Sequence, residues 1–315
     1  MFDIEKIIEI IDQRNAKTVG LQFPEGLKRQ GPELAKELES RLGILTIISG
    51  DPCYGACDID ESLLSMVDIL FHFGHSKLYD DDRVIFMEYQ HDVDVERAVL
   101  NALPMLGKKV GIVTTVQHIH MLNRIEEILV RAGKEPRIAP GDSRITYPGQ
   151  VLGCNFTAAP SDVDTILYVG SGNFHPMGIR LSANIPVIAA DPFTGEPRIV
   201  DVNKIMKQRY GVMSKAMDAK KWGIIIAMKT GQRRLDLAKR LKEIAGDAVL
   251  ITIQEISPER LLNFKVDAYV STACPRVAID DAGRFNVPVL TPVEFEIIKG
   301  LRKWEDLVFD EIKGD

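Results

Sequence analysis

The residues best equipped for chemistry are four thiols, Cys53, Cys57, Cys154 and Cys274. Two share the stretch DPCYGACDID (51–60); the others stand alone in LGCN (152–155) and TACPRVAIDD (272–281). Four cysteines in 315 residues make no disulfide framework. A single cysteine is by default a small buried hydrophobe. Thiolates are also the ligands of soft metal sites, either zinc or an iron–sulfur cluster. Structural zinc takes close C-x₂₋₄-C pairs and four ligands. Cys53 and Cys57 meet that spacing and the two isolated cysteines do not, so the elements that position the thiols must decide.

Those elements repeat. The apolar runs TVGLQF (18–23), KVGIVTT (109–115) and WGIIIAMK (222–229) each predict a buried strand that opens a unit. A helical pattern follows each. Leu34, Ala35, Leu38 and Leu42 share one face; so do Leu122, Ile125, Leu129 and Ala132, capped by Gly133; so do Leu237, Ala238, Leu241, Ile244 and Ala245, capped by Gly246. Second strands are predicted at LTIISG (45–50), QVLG (150–153) and AVLITI (248–253). Third strands fall at 66–75, 162–171 and 265–274, and fourth strands at 84–89, 185–190 and 287–292. A Val-Asp pair recurs within each third run, ending at Asp68, Asp164 and Asp267, and six residues later come Gly74, Gly170 and Ala273. Spacings of 96 and 103 residues are domain-sized. Strands alternating with amphipathic helices imply parallel sheets covered by helices. The expectation is an α/β protein of three similar small domains, 1–104, 105–205 and 206–315, the last with a C-terminal helix, in a pseudo-threefold triangular arrangement.

In this frame Cys57 lies eleven residues before Asp68 and Cys154 ten before Asp164, while Cys274 follows the third strand of its unit. Each repeat thus supplies one cysteine beyond the C-terminal end of a strand, where parallel sheets gather binding groups. Ligands scattered one per repeat suit a cluster at an interface better than a structural zinc. Three thiolates on a four-iron cluster leave one iron open for chemistry. A CxxxCxxC radical-enzyme loop is excluded, because its third cysteine would fall on Asp60.

Other candidates are weaker. TGQRR (230–234) precedes a helix, and exposed amides with Gly231, Gln232, Arg233 and Arg234 could hold an anionic group; the plain alternative is a solvated first turn. QFPEGL (22–27) is its equivalent in the first unit, where Gly26 shapes a turn and Glu25 could face the crevice. His75 occupies the frame position of Cys274, which suggests a crevice-lining role. His72, His91, His118 and His120 have no metal-motif partners and read as solvated or core residues. GSGN (170–173) lacks the dinucleotide fingerprint, since position 175 is His, and no P-loop occurs. A net charge of −6 argues against direct nucleic-acid binding. No apolar run nears the ~20 residues of a membrane span. The N-terminal MFDIEKIIEIIDQR reads as an amphipathic helix rather than a signal peptide, so a cytoplasmic protein is expected.

QFPEGL, DPCYGACDID, LGCN, TGQRR and TACPRVAIDD, in that order along essentially the whole chain, resemble the archaeal subunit of the diphthamide synthase family. The resemblance implies a homodimer of three α/β domains, with Cys57, Cys154 and Cys274 holding a 4Fe–4S cluster whose open iron meets S-adenosylmethionine. It implies cleavage of the Cγ–S bond and transfer of the 3-amino-3-carboxypropyl group to the imidazole C2 of a histidine in translation elongation factor 2. Methylthioadenosine leaves, and a separate electron donor is needed. Gln232 and its neighbours would then hold the S-adenosylmethionine carboxylate. Cys53 departs from the pattern and is not among the implied ligands, though it could lie near the cluster. Two other readings stay open: a quinolinate synthase, which also uses three α/β domains and a three-cysteine cluster, and a non-catalytic scaffold stabilised by metal.

Overall fold

The computed structural model describes residues 2–314. It contains three mainly parallel sheets. The first is built from β1 (Thr18–Gln22), β2 (Leu45–Ile48), β3 (Ile69–Phe73) and β4 (Val84–Met87) in the order β2-β1-β3-β4. The second comprises β5 (Lys109–Thr114), β6 (Glu135–Arg137), β7 (Thr165–Val169), β8 (Val187–Ala190) and β9 (Pro197–Ile199), ordered β6-β5-β7-β8-β9. The third holds β10 (Trp222–Ala227), β11 (Ala248–Ile253), β12 (Ala268–Ser271) and β13 (Val289–Leu290), ordered β11-β10-β12-β13. The same order appears three times, with one antiparallel strand, β9, added at the edge of the second sheet. The predicted helices form at Ile4–Arg14, Gly31–Leu42, Leu122–Arg131 and Leu235–Ala245. Gly133 and Gly246 take positive φ at the ends of the last two.

The recurring aspartate has one job in all three copies. Asp68 Oδ2 accepts the amides of Lys17 and Thr18, both at 2.8 Å. Asp164 Oδ2 accepts those of Lys108 and Lys109 at 2.9 and 2.8 Å, and Asp267 Oδ2 those of Lys220 and Lys221 at 2.9 and 2.8 Å. Each carboxylate therefore pins the start of a central strand to the start of its neighbour. These amide bonds hold all three carboxyls below the ordinary value of 3.8. A depressed carboxyl contributes stability above its unfolded pKa and loses it as pH falls through the folded one. Asp68→Asn, Asp164→Asn or Asp267→Asn should each lower the urea midpoint at pH 7, with the gap to the parent chain closing as pH drops below about 4. Urea titrations at pH 7 and pH 3.5 test this, and an undiminished gap at the lower pH would refute it.

One expectation is corrected. The second strand of the middle repeat is Glu135–Arg137, not 150–153. Once the helix ends at Gly133, the Glu135 amide bonds at once to the Lys108 carbonyl and fills the edge beside β5. Residues 150–153 keep only isolated bridges, Thr114 with Gln150 and Leu152 with Asn155. The last α-helix of the third repeat is Pro292–Ile298, and after it come one short 3₁₀ turn and an irregular tail. Phe309 of that tail is buried in the core of the second sheet, with its amide bonded to Leu181 O.

The chain divides into two compact units. One runs to Asp92 and includes Val116–His120; it holds the first sheet. Its core stacks Phe23 on Phe73 with centroids 4.4 Å apart, beside Ile7, Leu21, Leu38 and Phe71. The other comprises Val93–Thr115 and Met121 onward and holds the second and third sheets. The returning C-terminal tail ties those two sheets into one body.

Candidate functional site

In the first unit, residues 51–60 follow β2 and are held by their own acidic side chains. Asp58, buried, accepts the Tyr54 amide at 3.2 Å. Asp60 caps the short helix Glu61–Leu64 through the Leu63 amide at 2.9 Å, and its other oxygen accepts Ser49 Oγ at 2.7 Å. The acidic tail of the loop is thus spent on shaping it, leaving the thiols as its reactive groups. Cys57 is partly exposed and Cys53 is buried. Lys28 Nζ clamps the start of the loop by donating to Gly50 O at 3.1 Å, Asp51 O at 2.9 Å and Glu25 at 2.5 Å. Glu25 is therefore an exposed partner of that clamp. Gly26 faces open space, with nothing within 4 Å of a Cβ placed there.

His75 follows Gly74, whose φ of +88° and 2.9 Å clearance to Pro24 Cγ suit no side chain. Its Nδ1 lies 2.9 Å from His72 Nε2, which is 4.0 Å from Cys53 Sγ. Burial pushes His72 well below its usual range and His75 to about 4, so both are neutral imidazoles near pH 7. His72 is fully buried, as its core reading predicts, but it does have potential metal-ligand partners, Cys53 and His75. Sequence spacing hid them because 19 residues and a strand crossover separate Cys53 from His72.

In the second unit, Cys154 is buried just beyond the C-terminal end of β5, where Val151 N donates to Thr114 O. The C-terminal tail braces this turn: Ile312 N donates to Cys154 O at 2.8 Å, and buried Asn155 Nδ2 donates to Asp142 Oδ2 at 2.8 Å and Ile312 O at 3.1 Å. Gly153 is required by close approach, since a Cβ there would lie 2.5 Å from the Phe174 ring. Cys274 follows β12 and sits at the N-terminus of the five-residue helix Pro275–Ile279. That helix is anchored by Arg209, which donates to Ala278 O and Val289 O and forms a buried pair with Glu294 at 2.5 Å.

The residue two after Cys274 is one that sequence reading missed. Arg276 is 6% exposed, with its guanidinium 3.6 Å over the Phe174 ring and an ion pair to Asp280 at 2.6 Å. Its Nη1 is buried with no hydrogen-bond partner among the described residues. Burial lowers its pKa, while Asp280, Cys274 and Cys154 act in the opposite direction. Both thiols are thus close enough to feel the same cation. Burial and the Arg276 charge also drive His175 down to about 3. An arginine two residues past a cysteine was readable in TACPRVAIDD, but its burial under the influence of a second, sequence-distant thiol is a property of the fold.

The TGQRR segment forms a 3₁₀ turn, Thr230–Gln232, after β10, with Gly231 and Gln232 buried. Gly231 O accepts Arg144 Nη2 at 2.9 Å. Arg233 is exposed and donates to Met228 O at 2.6 Å. Arg234 is committed elsewhere: it donates to Thr272 O and Ala273 O and pairs with buried Asp310 at 2.6 Å. Its evident work is to fix the backbone leading into Cys274.

Each of the three thiols lies beyond a strand end of its own sheet, and in the second unit Cys154 and Cys274 both act electrostatically on buried Arg276. Residues 23–308 match the family model whose description reads "Putative diphthamide synthesis protein". The chain belongs to that family. A 2-(3-amino-3-carboxypropyl)histidine synthase from Pyrococcus horikoshii is 42% identical, with 98% of this chain and 93% of that protein covered. One from Methanocaldococcus jannaschii is 31% identical, over 98% and 91%. The crystal structure of Dph2 from Pyrococcus horikoshii with a 4Fe-4S cluster superposes with a TM-score of 0.93 at 39% identity, covering all of this chain and 94% of that one. Membership decides for the diphthamide reading over quinolinate synthase. No helix among the described residues is long and apolar enough to cross a membrane.

Proposed function

We propose that the chain is a 2-(3-amino-3-carboxypropyl)histidine synthase in which Cys57, Cys154 and Cys274 hold a 4Fe–4S cluster. The observation that carries this is the buried Arg276 guanidinium, on which Cys154 and Cys274 both act electrostatically, in a chain of this family. When bound, the cluster supplies the electron that splits the Cγ–S bond of S-adenosylmethionine, releasing methylthioadenosine. The chain's own residues do the rest. Arg276 offsets thiolate charge and keeps one donor in reserve for an anion. Arg234 and Asp310 hold the backbone at Cys274, and the C-terminal tail holds that at Cys154. Gly231, Gln232 and Arg233 remain the proposed contacts for the amino acid end of S-adenosylmethionine. Glu25 and Gly26 remain proposed contacts in the first unit, whereas His75, expected to line the crevice, turns its Nδ1 to buried His72. The acceptor in this proposal is a histidine imidazole of translation elongation factor 2, the working form is a homodimer, and an electron donor acts from outside.

The test uses anaerobically purified protein that is reduced and given S-adenosylmethionine alone. Methylthioadenosine, with about four irons per chain, is the expected result. Deoxyadenosine would mean cleavage on the adenosyl side and overturn the proposal. An intact cluster with no cleavage would leave the scaffold reading in its place.

A further inference from the structure

A second donor group involves none of Cys57, Cys154 and Cys274. Cys53 Sγ and one ring nitrogen each of His72 and His75 all lie within 4.8 Å of one another. The hydrogen bonds around them fix which nitrogen is which. Gln22 Nε2 donates to Asp58 O at 2.7 Å, so its Oε1 faces the other way and accepts the Asp60 amide at 3.2 Å. That same Oε1 is 3.0 Å from His72 Nδ1. An oxygen cannot donate, so His72 carries its proton on Nδ1 and points a bare Nε2 at Cys53 and His75. This is the arrangement that prepares a histidine to ligate a metal, with the far N–H held by a fixed carbonyl oxygen.

We propose that Cys53, His72 and His75 form a mononuclear site for a borderline-soft divalent cation of the zinc class. Zinc at about 2.0–2.1 Å from nitrogen and 2.3 Å from sulfur places tetrahedral ligands roughly 3.4 Å apart for N···N and 3.6 Å for S···N. The separations from His72 Nε2 are 2.9 Å to His75 Nδ1 and 4.0 Å to Cys53 Sγ, each about 0.5 Å from its ideal, and Cys53 Sγ lies within 4.8 Å of the His75 ring nitrogen, so closing on a cation takes shifts of about 1 Å or less. Three protein ligands leave the fourth position to water, as in zinc sites that are not closed. Binding expels the thiol proton of Cys53, and the Nδ1 proton of His75 passes to its Nε2, so one proton leaves per cation. The two thiols of the 51–60 loop then have separate employment, Cys53 on a mononuclear cation and Cys57 on the cluster. This site depends only on residues of the first unit and stands whether or not the cleavage reaction is confirmed.

The test uses the full chain bearing Cys57→Ser, Cys154→Ser and Cys274→Ser, so that no cluster thiol competes, with Co²⁺ alone as the probe. The expected result is saturation at one equivalent, with intense tetrahedral visible bands and a thiolate-to-cobalt charge-transfer band that Zn²⁺ abolishes. Adding Cys53→Ser should remove the charge-transfer band. Gln22→Leu should weaken Co²⁺ binding by about 10–100-fold through loss of the fixed tautomer. Absence of saturable binding, or a spectrum indifferent to Cys53→Ser, overturns the proposal. If circular dichroism shows the triple variant unfolded, the cluster-loaded parent is exposed to Zn²⁺, desalted and analysed for metals. One zinc per chain that disappears in Cys53→Ser and His75→Ala, with iron unchanged, supports the site. Equal zinc in all three, or loss of iron in place of zinc, refutes it.

Discussion

Cys57→Ala, Cys154→Ala and Cys274→Ala should each reduce bound iron from about four per chain to near zero and abolish methylthioadenosine formation, while Cys53→Ala retains the iron. The three proposed thiolates would leave no redundancy: with one removed, only two would remain to hold the cluster. The local structure separates the two thiols of the first unit. Cys57 is partly exposed on a loop whose backbone is set by Asp58 and Asp60, whereas Cys53 is buried against His72. Alanine is chosen because its volume loss is small and leaves these braces intact. The readouts are iron and sulfide per chain and the nucleoside product. Iron lost on Cys53→Ala and kept on Cys57→Ala would reverse the assignment.

Much of this was legible in the residues. The Val-Asp repeat was visible as spacing, and its meaning is a side-chain bond to two strand-opening amides at Asp68, Asp164 and Asp267. The cysteines could be placed past strand ends because strand period and helix period punctuate the chain regularly. The displaced second strand of the middle repeat was not legible: Glu135–Arg137 is three residues long and contains a proline, too short for any periodicity to register. The tail was equally hidden, since what makes Phe309 and Ile312 core residues is a surface supplied by residues more than a hundred positions earlier. The His72–His75–Cys53 group escaped for the same reason. Parallel strands bring sequence-distant side chains together through crossovers, and no short motif records it.

Arg276→Met should leave iron in place, make the cluster harder to reduce and slow turnover by about 10²–10³, the usual cost of deleting one preorganised charged donor in an enclosed site. The sign follows from charge. In the proposed cluster, reduction would add an electron beside Cys154 and Cys274, and the Arg276 cation, which acts electrostatically on both, would favour the more negative state. A unit charge contributes about 2 kcal/mol at roughly 8 Å in a medium of effective dielectric about 20, which for one electron is about 90 mV. The variant's potential should therefore fall by that order. Methionine keeps the bulk against Phe174 but drops both the charge and the stacked guanidinium, so a control is needed for packing. Arg276→Lys supplies it: the charge returns while the planar stacking does not, and the potential should recover more fully than the rate. A merely structural Arg276 would instead lower the melting temperature and iron content of the Met variant, with the potential of the remaining cluster unmoved. An unshifted potential together with turnover within threefold of the parent would remove Arg276 from the mechanism and leave the thiolates to the solvent and the loop amides.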